Sequence, residues 1–301
     1  MPTTVWRWCR YSRIRNKSIS NYYILNLAAA DELLLCTLPL YCVSTYTADW
    51  VFGEVVCRLS YVFRESNKYT GILTLVALSV DRCLASYPNV AAVRRVPVGV
   101  GVCVVIWMIS LLVSLPYAIN ATVTAFNGHR SCRLVWRLTI DARRAWTFSQ
   151  LVFALAVPLA VNAGANGILL WRLGRRSSRR LGRSRLNAAA SSFGPLDMTR
   201  LVVIVVGVFV VCHLPYHVVE VMSLMTYERY SLHGGRPTAS YRTAFIYVNT
   251  TAQLLVHVSS CCNPVIYGIF NKNYRKSFIL TLLMDCQQLK MTDRYTEPCS
   301  R

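Results

Sequence analysis

Apolar residues gather into six long blocks along the chain, at roughly 22–46, 55–82, 96–119, 145–173, 200–225 and 244–270. Each is long enough to cross a bilayer core, which takes about 20 helical residues. Backbone groups in lipid have to be satisfied within their own segment, so every block is predicted to be an α-helix. No internal repeat or second domain interrupts the series, and the stretch MPTTVWRWCRYSRIRNKS lacks the apolar run of a secretory signal. The expected fold is an all-α membrane protein. A transmembrane helix bundle fills 22–270, with a basic segment at 1–21 before it and an amphipathic helix and tail at 271–301 after it.

Composition agrees. Of the 301 residues 54% are hydrophobic and 15% charged, with mean hydropathy +0.37; soluble domains carry about 25% charged residues. A net charge of +20 points to nucleic acid or anionic lipid. The position of the charge decides for lipid. Arg7, Arg10, Arg13, Arg15 and Lys17 lie before the first block, RLGRRSSRRLGRSR fills 172–185, and Lys272, Arg275 and Lys276 follow the last block. The 172–185 loop is framed by spanning helices and lacks interleaved aromatics, so no nucleic-acid partner is expected. The 47–54 loop has Asp49 and Glu54 and no lysine or arginine. The positive-inside rule then puts the N-terminal segment, the 83–95 and 172–199 loops and the tail in the cytoplasm. The arginines of the 117–144 loop run against the trend but are outweighed. The sequon Asn120-Ala121-Thr122 falls outside, next to the membrane. Of the 12 cysteines, Cys57 and Cys132 are best placed to meet in an oxidising compartment and pin the outer loop over the bundle.

Ionisable and amide side chains inside a span are costly and mark function by default. Asp31 is the first, with Asn67 in the next span and Ser259, Ser260 and Asn263 in the last as co-ligands. Such oxygen ligands suit Na+ or a water cluster, and a plain hydrogen-bonded polar core suits them equally. Asp81 and Arg82 are adjacent at the cytoplasmic end of the second block and so do not share a helix face. Pro39, Pro116, Pro158, Pro215 and Pro264 put breaks in five spans, which suits a bundle that moves.

Together NLAAAD, WVFG before Cys57, SVDRC, Trp107, Pro158, CHLP and NPVIY, in this order, resemble the rhodopsin-like G-protein-coupled receptors. YYILNLAAADELLL, CRLSYVFRESNKYTGILTLVALSVDR, MTRLVVIVVGVFVVC and NPVIYGIFNKNYRKSF look most like somatostatin and allatostatin-C receptors, with opioid and chemokine receptors more distant. The resemblance implies a multi-pass plasma-membrane receptor for an extracellular peptide that activates a heterotrimeric G protein of the inhibitory class. It also implies that Asp31 and Asn67 hold sodium-site positions, that Arg82 contacts the G protein, and that Tyr267 rearranges with it. Such receptors have seven spans; here the first is missing, 1–21 reads as the remnant of the first intracellular loop, and a fragment or short isoform is expected. Departures are Cys83 for a tyrosine, Asn166 for a tyrosine, Gly71 and Ser259 for a serine and an asparagine of the sodium site, and His213 for the relay tryptophan. Arg64 stands where vertebrate somatostatin and opioid receptors have an aspartate. A buried arginine opposes a ligand cation, so an acidic or neutral peptide determinant is expected, or an internal pair with Glu65 or Glu220.

His213, His217 and Glu220 lie at i, i+4 and i+7, one face of a helix. By family position His257 and Arg64 face the same cavity, and Asn67, Tyr216 and Gln253 complete the expected ligand site. Two histidines and a carboxylate are zinc-ligand types, but Pro215 alters their spacing and Arg64 repels a cation. A peptide pocket is therefore favoured over a metal site, with ordinary buried polar groups as the remaining reading. No nucleophile–base pair, phosphate loop or ion pathway appears, so neither an enzyme nor a transporter is expected, and no cofactor beyond Na+ near Asp31. The competing function is a non-signalling membrane protein that dimerises with a full-length receptor and modulates it.

Overall fold

The computed structural model describes residues 19–87, 90, 95–126, 128–136, 139–180, 195–233 and 238–270. The basic N-terminal segment up to residue 18, most of the 172–199 loop and the tail beyond 270 lie outside the described residues. Within them the chain forms six long helical segments, taken below as the spans, and one hairpin; four of the six, Ile19–Thr47, Val96–Asn120, Ile140–Arg175 and Thr199–Tyr230, are long and apolar enough to cross a membrane.

The first span is α1 (Ile19–Leu35) continued by α2 (Leu38–Thr47). The break has a local cause: Thr37 N–H bonds Leu34 O at 2.9 Å, the Thr37 hydroxyl donates to the same carbonyl at 2.7 Å, and Pro39 has no N–H to continue the ladder. Bundle packing begins at Ile19 and Ser20, both buried, so the bundle takes in the end of the segment assigned to 1–21. The second span, α3 (Gly53–Ala85), has 33 residues, about 50 Å of helix. It is the central pillar and packs against α1, the third span α4 (Val96–Asn120), and the helices that begin at Val157 and Pro195.

The chain then turns into a hairpin, β1 (Ala121–Phe126) with β2 (His129–Leu134), antiparallel with Phe126 opposite His129. Gly128 sits at φ +80°, the left-handed region that favours glycine. The fourth span runs as α5 (Ile140–Leu151), a wider π turn at Val152–Ala156, and α6 (Val157–Arg180). Pro158 accounts for the wide turn, because its ring clashes with the carbonyl four residues back in a regular helix. Val157 N–H instead reaches back five residues to Val152 O. The last two spans, α7 (Pro195–His233) and α8 (Ala239–Phe270), keep Pro215 and Pro264 inside continuous helix.

Apolar side chains pack at three depths. Ile19, Tyr23, Leu78 and Val202 form one layer, and Ile24, Leu27, Ile72, Leu75, Val205, Phe209 and Tyr267 lie in the middle. Leu34, Tyr216, Val219, Ala252 and Val256 close the outer layer. The outward face is apolar as well: Val98, Val105, Met108, Leu112 and Leu115 of α4 are exposed, as a face towards acyl chains has to be.

Candidate functional site

Inside the bundle, Asp31 is 5% exposed and accepts hydrogen bonds from Asn67 Nδ2 at 3.2 Å and Asn263 Nδ2 at 2.8 Å. Ser260 bonds it too. These groups line a small cavity of about 10 Å³ with Leu27, Gly71, Phe209, His213 and Ser259, close to the least room a single water needs. Asn67, expected both at the ligand and in the polar core, belongs to the core. His213 forms part of the same cavity wall, stacked on Phe209 with ring centroids 4.0 Å apart, and its Nδ1 is buried without a hydrogen-bond partner.

A second polar group hangs on one turn of α3. Glu65, 1% exposed, takes Lys68 Nζ at 2.5 Å and the Tyr216 hydroxyl at 3.1 Å. Lys68 also reaches Gln150 Oε1 at 3.4 Å, and the Tyr69 hydroxyl donates to that oxygen. Arg64 lies 3.7 Å from Glu65, gives one N–H to Gln253 Oε1 at 3.1 Å and lies over the Tyr61 ring at 4.3 Å. Of the two internal partners expected for Arg64, Glu65 is the nearer, but Lys68 holds that carboxylate more closely. Glu220 is partly exposed, within electrostatic range of Glu65, Lys68 and Arg64. Lys68, Gln150, Tyr69 and Tyr117 were not among the expected site residues. The signal for Lys68 was its position in RESNKYTG, four residues after Arg64 on the same face.

The other histidines have different immediate partners. His217 is buried against Tyr216 with Nε2 unpartnered. His257 has both nitrogens engaged, Nδ1 with Gln253 O at 2.8 Å and Nε2 with Thr37 Oγ1 at 3.3 Å. It clamps α8 to the break between α1 and α2. Among the described residues no three His, Cys, Asp or Glu side chains are grouped to hold a metal ion.

At the cytoplasmic end Ser20 joins the adjacent pair that cannot share a face. Its hydroxyl donates to Asp81 Oδ2 at 3.5 Å and accepts from the Arg82 guanidinium. Tyr267 is buried in the middle apolar layer. Asn166 donates to Ser79 Oγ at 3.3 Å, and Ser79 to Asn162 Oδ1 at 2.6 Å, a polar ladder between α3 and α6.

At the outer end Cys57 and Cys132 are disulfide-bonded, with Cα atoms 5.7 Å apart. The hairpin is clasped further by Asp49, which accepts Arg130 N–H at 2.6 Å and its guanidinium at 3.1 Å. Those bonds hold the Asp49 carboxyl below its ordinary range. Asn120 donates to Pro116 O at 2.8 Å at the end of α4.

A family model for the seven-transmembrane receptors of the rhodopsin family matches residues 3–267. Mouse somatostatin receptor type 2 is 30% identical over 276 residues, 89% of this chain and 69% of the relative. Rat somatostatin receptor type 4 is 32% identical over 290 residues, 94% and 68%, and bovine type 5 is 31% identical over 265 residues, 87% and 67%. The chain belongs to the rhodopsin family of seven-transmembrane receptors and resembles its somatostatin-receptor branch. It is a multi-pass plasma-membrane protein and not an enzyme.

Proposed function

Starting from membership of the rhodopsin receptor family, we propose that this chain binds an extracellular peptide and activates a heterotrimeric G protein of the inhibitory class. The observation that supports a peptide carrying an acidic or neutral determinant is the state of Arg64. It is buried in part, its link to Glu65 is long at 3.7 Å, and its side-chain hydrogen bonds among the described residues go to neutral groups, Gln253 at 3.1 Å and Tyr61. A ligand carboxylate completes its set of partners, whereas a ligand ammonium meets a like charge. Asp31 with Asn67, Ser260 and Asn263 supports Na+ as an allosteric ion. Arg82, tethered to Ser20, supports a cytoplasmic element that has to be released before a G protein docks.

The test is peptide-stimulated nucleotide exchange on an inhibitory-class Gα in membranes carrying the chain. An acidic member of a peptide panel is expected to stimulate exchange, and Arg64→Glu to weaken it about 10-fold to 100-fold, the loss of a close charge pair. Arg82→Ala is expected to abolish exchange and keep peptide binding. Silence across the panel, with normal surface expression, overturns the signalling reading in favour of a membrane protein that dimerises with and modulates another receptor. Equal activation by basic peptides in wild type and Arg64→Glu overturns the acidic determinant.

A further inference from the structure

Glu65, Tyr69, Tyr117 and Tyr216 form the walls of a site with the chemistry of a receptor for an organic cation. A carboxylate supplies charge, and aromatic faces attract a cation through their quadrupoles. All four are at least nine-tenths buried, Glu65 at 1%, Tyr69 at 4%, Tyr117 at 2% and Tyr216 at 5% exposed. The space is already filled by this chain's own Lys68, itself 3% exposed. Its Nζ lies 2.5 Å from Glu65 Oε2, with the ring centroids of Tyr69, Tyr117 and Tyr216 at 5.1, 5.7 and 5.5 Å. Trp136 and Trp146 pack behind Tyr117, closing that wall.

A buried ion pair is weak support for stability, since desolvation offsets most of its attraction. What Lys68 changes decisively is the charge that the cavity offers a ligand. We infer that Lys68 is a tethered occupant of a cation site and thereby the residue that sets which ligand charge the cavity accepts. With the ammonium in place, Glu65 is neutralised and closed to a basic ligand group. One residue before Glu65, Arg64 is left as the cation with 14% side-chain exposure, open to an anionic group. Without the ammonium, the same walls make an anionic cage the size of a small alkylammonium. The charge preference rests on the peptide-receptor reading; the cage itself does not.

Lys68→Ala deletes three methylenes and the ammonium, the atoms that n-propylammonium supplies. The readout is thermal melting of the purified full chain in detergent, with n-propanol as the neutral control. Lys68→Ala is expected to lower Tm by roughly 10 °C, the effect of an uncompensated buried carboxylate. Millimolar n-propylammonium is expected to restore at least half of that loss saturably, n-propanol to restore none, and wild type to be unaffected by either. Absence of a saturable amine shift, or an equal shift with n-propanol, overturns the inference. The double variant Glu65→Gln with Lys68→Met keeps the volume and removes both charges. It is expected to fold and ignore the amine, and an amine response there overturns the role of Glu65. Should Lys68→Ala accumulate only with n-propylammonium in the growth medium, the inference stands. Should it fail with and without the amine while the double variant folds, the inference falls. None of these readouts involves a peptide, so failure here is distinguishable from failure of the receptor reading.

Discussion

Glu65 shows how unequal two partners of one carboxylate are. Glu65→Gln leaves Lys68 buried without its counter-ion, a change that costs about 3–5 kcal/mol. Tyr216→Phe removes the hydroxyl that bonds Glu65 and lies beside Glu220, at about 1.5–3 kcal/mol for a hydrogen bond to a charged group. Melting of the two variants is expected to rank Glu65→Gln well below Tyr216→Phe, and the reverse order would show that the tyrosine, not the lysine, anchors the carboxylate. Gly71 supplies a residue-scale prediction of opposite sign. A Cβ there meets Leu27 Cδ1 at 3.6 Å and Phe209 Cε2 at 3.7 Å, ordinary contacts, and a helix-interior glycine is less favourable than most residues by up to about 1 kcal/mol. Gly71→Ser is expected to keep or raise stability by up to about 1 kcal/mol, read as an unchanged or higher Tm, and, by adding an oxygen to the Asp31 cavity, to sharpen the effect of Na+ on melting. A drop in Tm would mean that the cavity wall does not give. The residue scale is also where the sequence was least legible. Asp31, Asn67, Ser259, Ser260 and Asn263 announce themselves as polar residues in apolar blocks, Asn263 within the proline motif as well. Lys68 sits in a polar stretch, RESNKYTG, where lysine reads as a surface or snorkelling side chain. Its partner Gln150 lies 82 residues away, and no spacing rule reaches that far.

Spans were legible element by element because a 20-residue apolar run has few readings in lipid. The six predicted blocks fall within the six observed spans, and the disulfide joins the two cysteines singled out. What the pattern left out was the outer hairpin. TVTAF and RSCRL flank Asn127-Gly128, a strong short-range hairpin signal, although by charge and hydropathy the 117–144 stretch reads as one loop. The hairpin is held by a disulfide spanning 75 residues of sequence and by the Asp49–Arg130 clasp. Removing the bridge with Cys57→Ala and Cys132→Ala is expected to cost about 2–5 kcal/mol and to raise hydrogen exchange of the hairpin amides. The clasp carries its own pH signature. The folded carboxyl titrates below its usual 3.8, so its contribution is complete above that value and is lost as pH falls through the lower, folded value. Amide exchange at Arg130 is therefore expected to be independent of pH-linked opening from neutral pH down to about 4 and to rise below it. Asp49→Asn is expected to abolish the acid step; an unchanged step would assign it to another group.

The charge of the whole molecule sorts in a way that reconciles the arginine-rich outer loop with an outward orientation. Arg130 pairs with Asp49, Arg144 with Glu228 at 3.0 Å and Asp141 at 3.5 Å, and Arg58 with Glu54 at 2.6 Å. Arg143 lies over the Tyr227 ring at 4.6 Å and donates to Ser223 at 3.1 Å. Exposed pairs of this kind add little stability; their effect is to neutralise part of the arginine charge that the outer end carries. On the other side, Arg172 lies over the Tyr87 ring at 3.3 Å and Arg175 over Trp171 at 4.5 Å. Among the described residues neither arginine has an acidic partner, at the end where positive charge stays with the cytoplasm. The orientation follows as a measurement on intact cells. A cysteine placed by Ala125→Cys, exposed in β1, is expected to react with a membrane-impermeant thiol reagent above the wild-type background. One placed by Arg175→Cys, exposed in α6, is expected to react only after permeabilisation. The opposite pattern would turn the bundle over, put the Cys57–Cys132 bridge in the reducing compartment, and leave Arg64 facing away from any extracellular ligand.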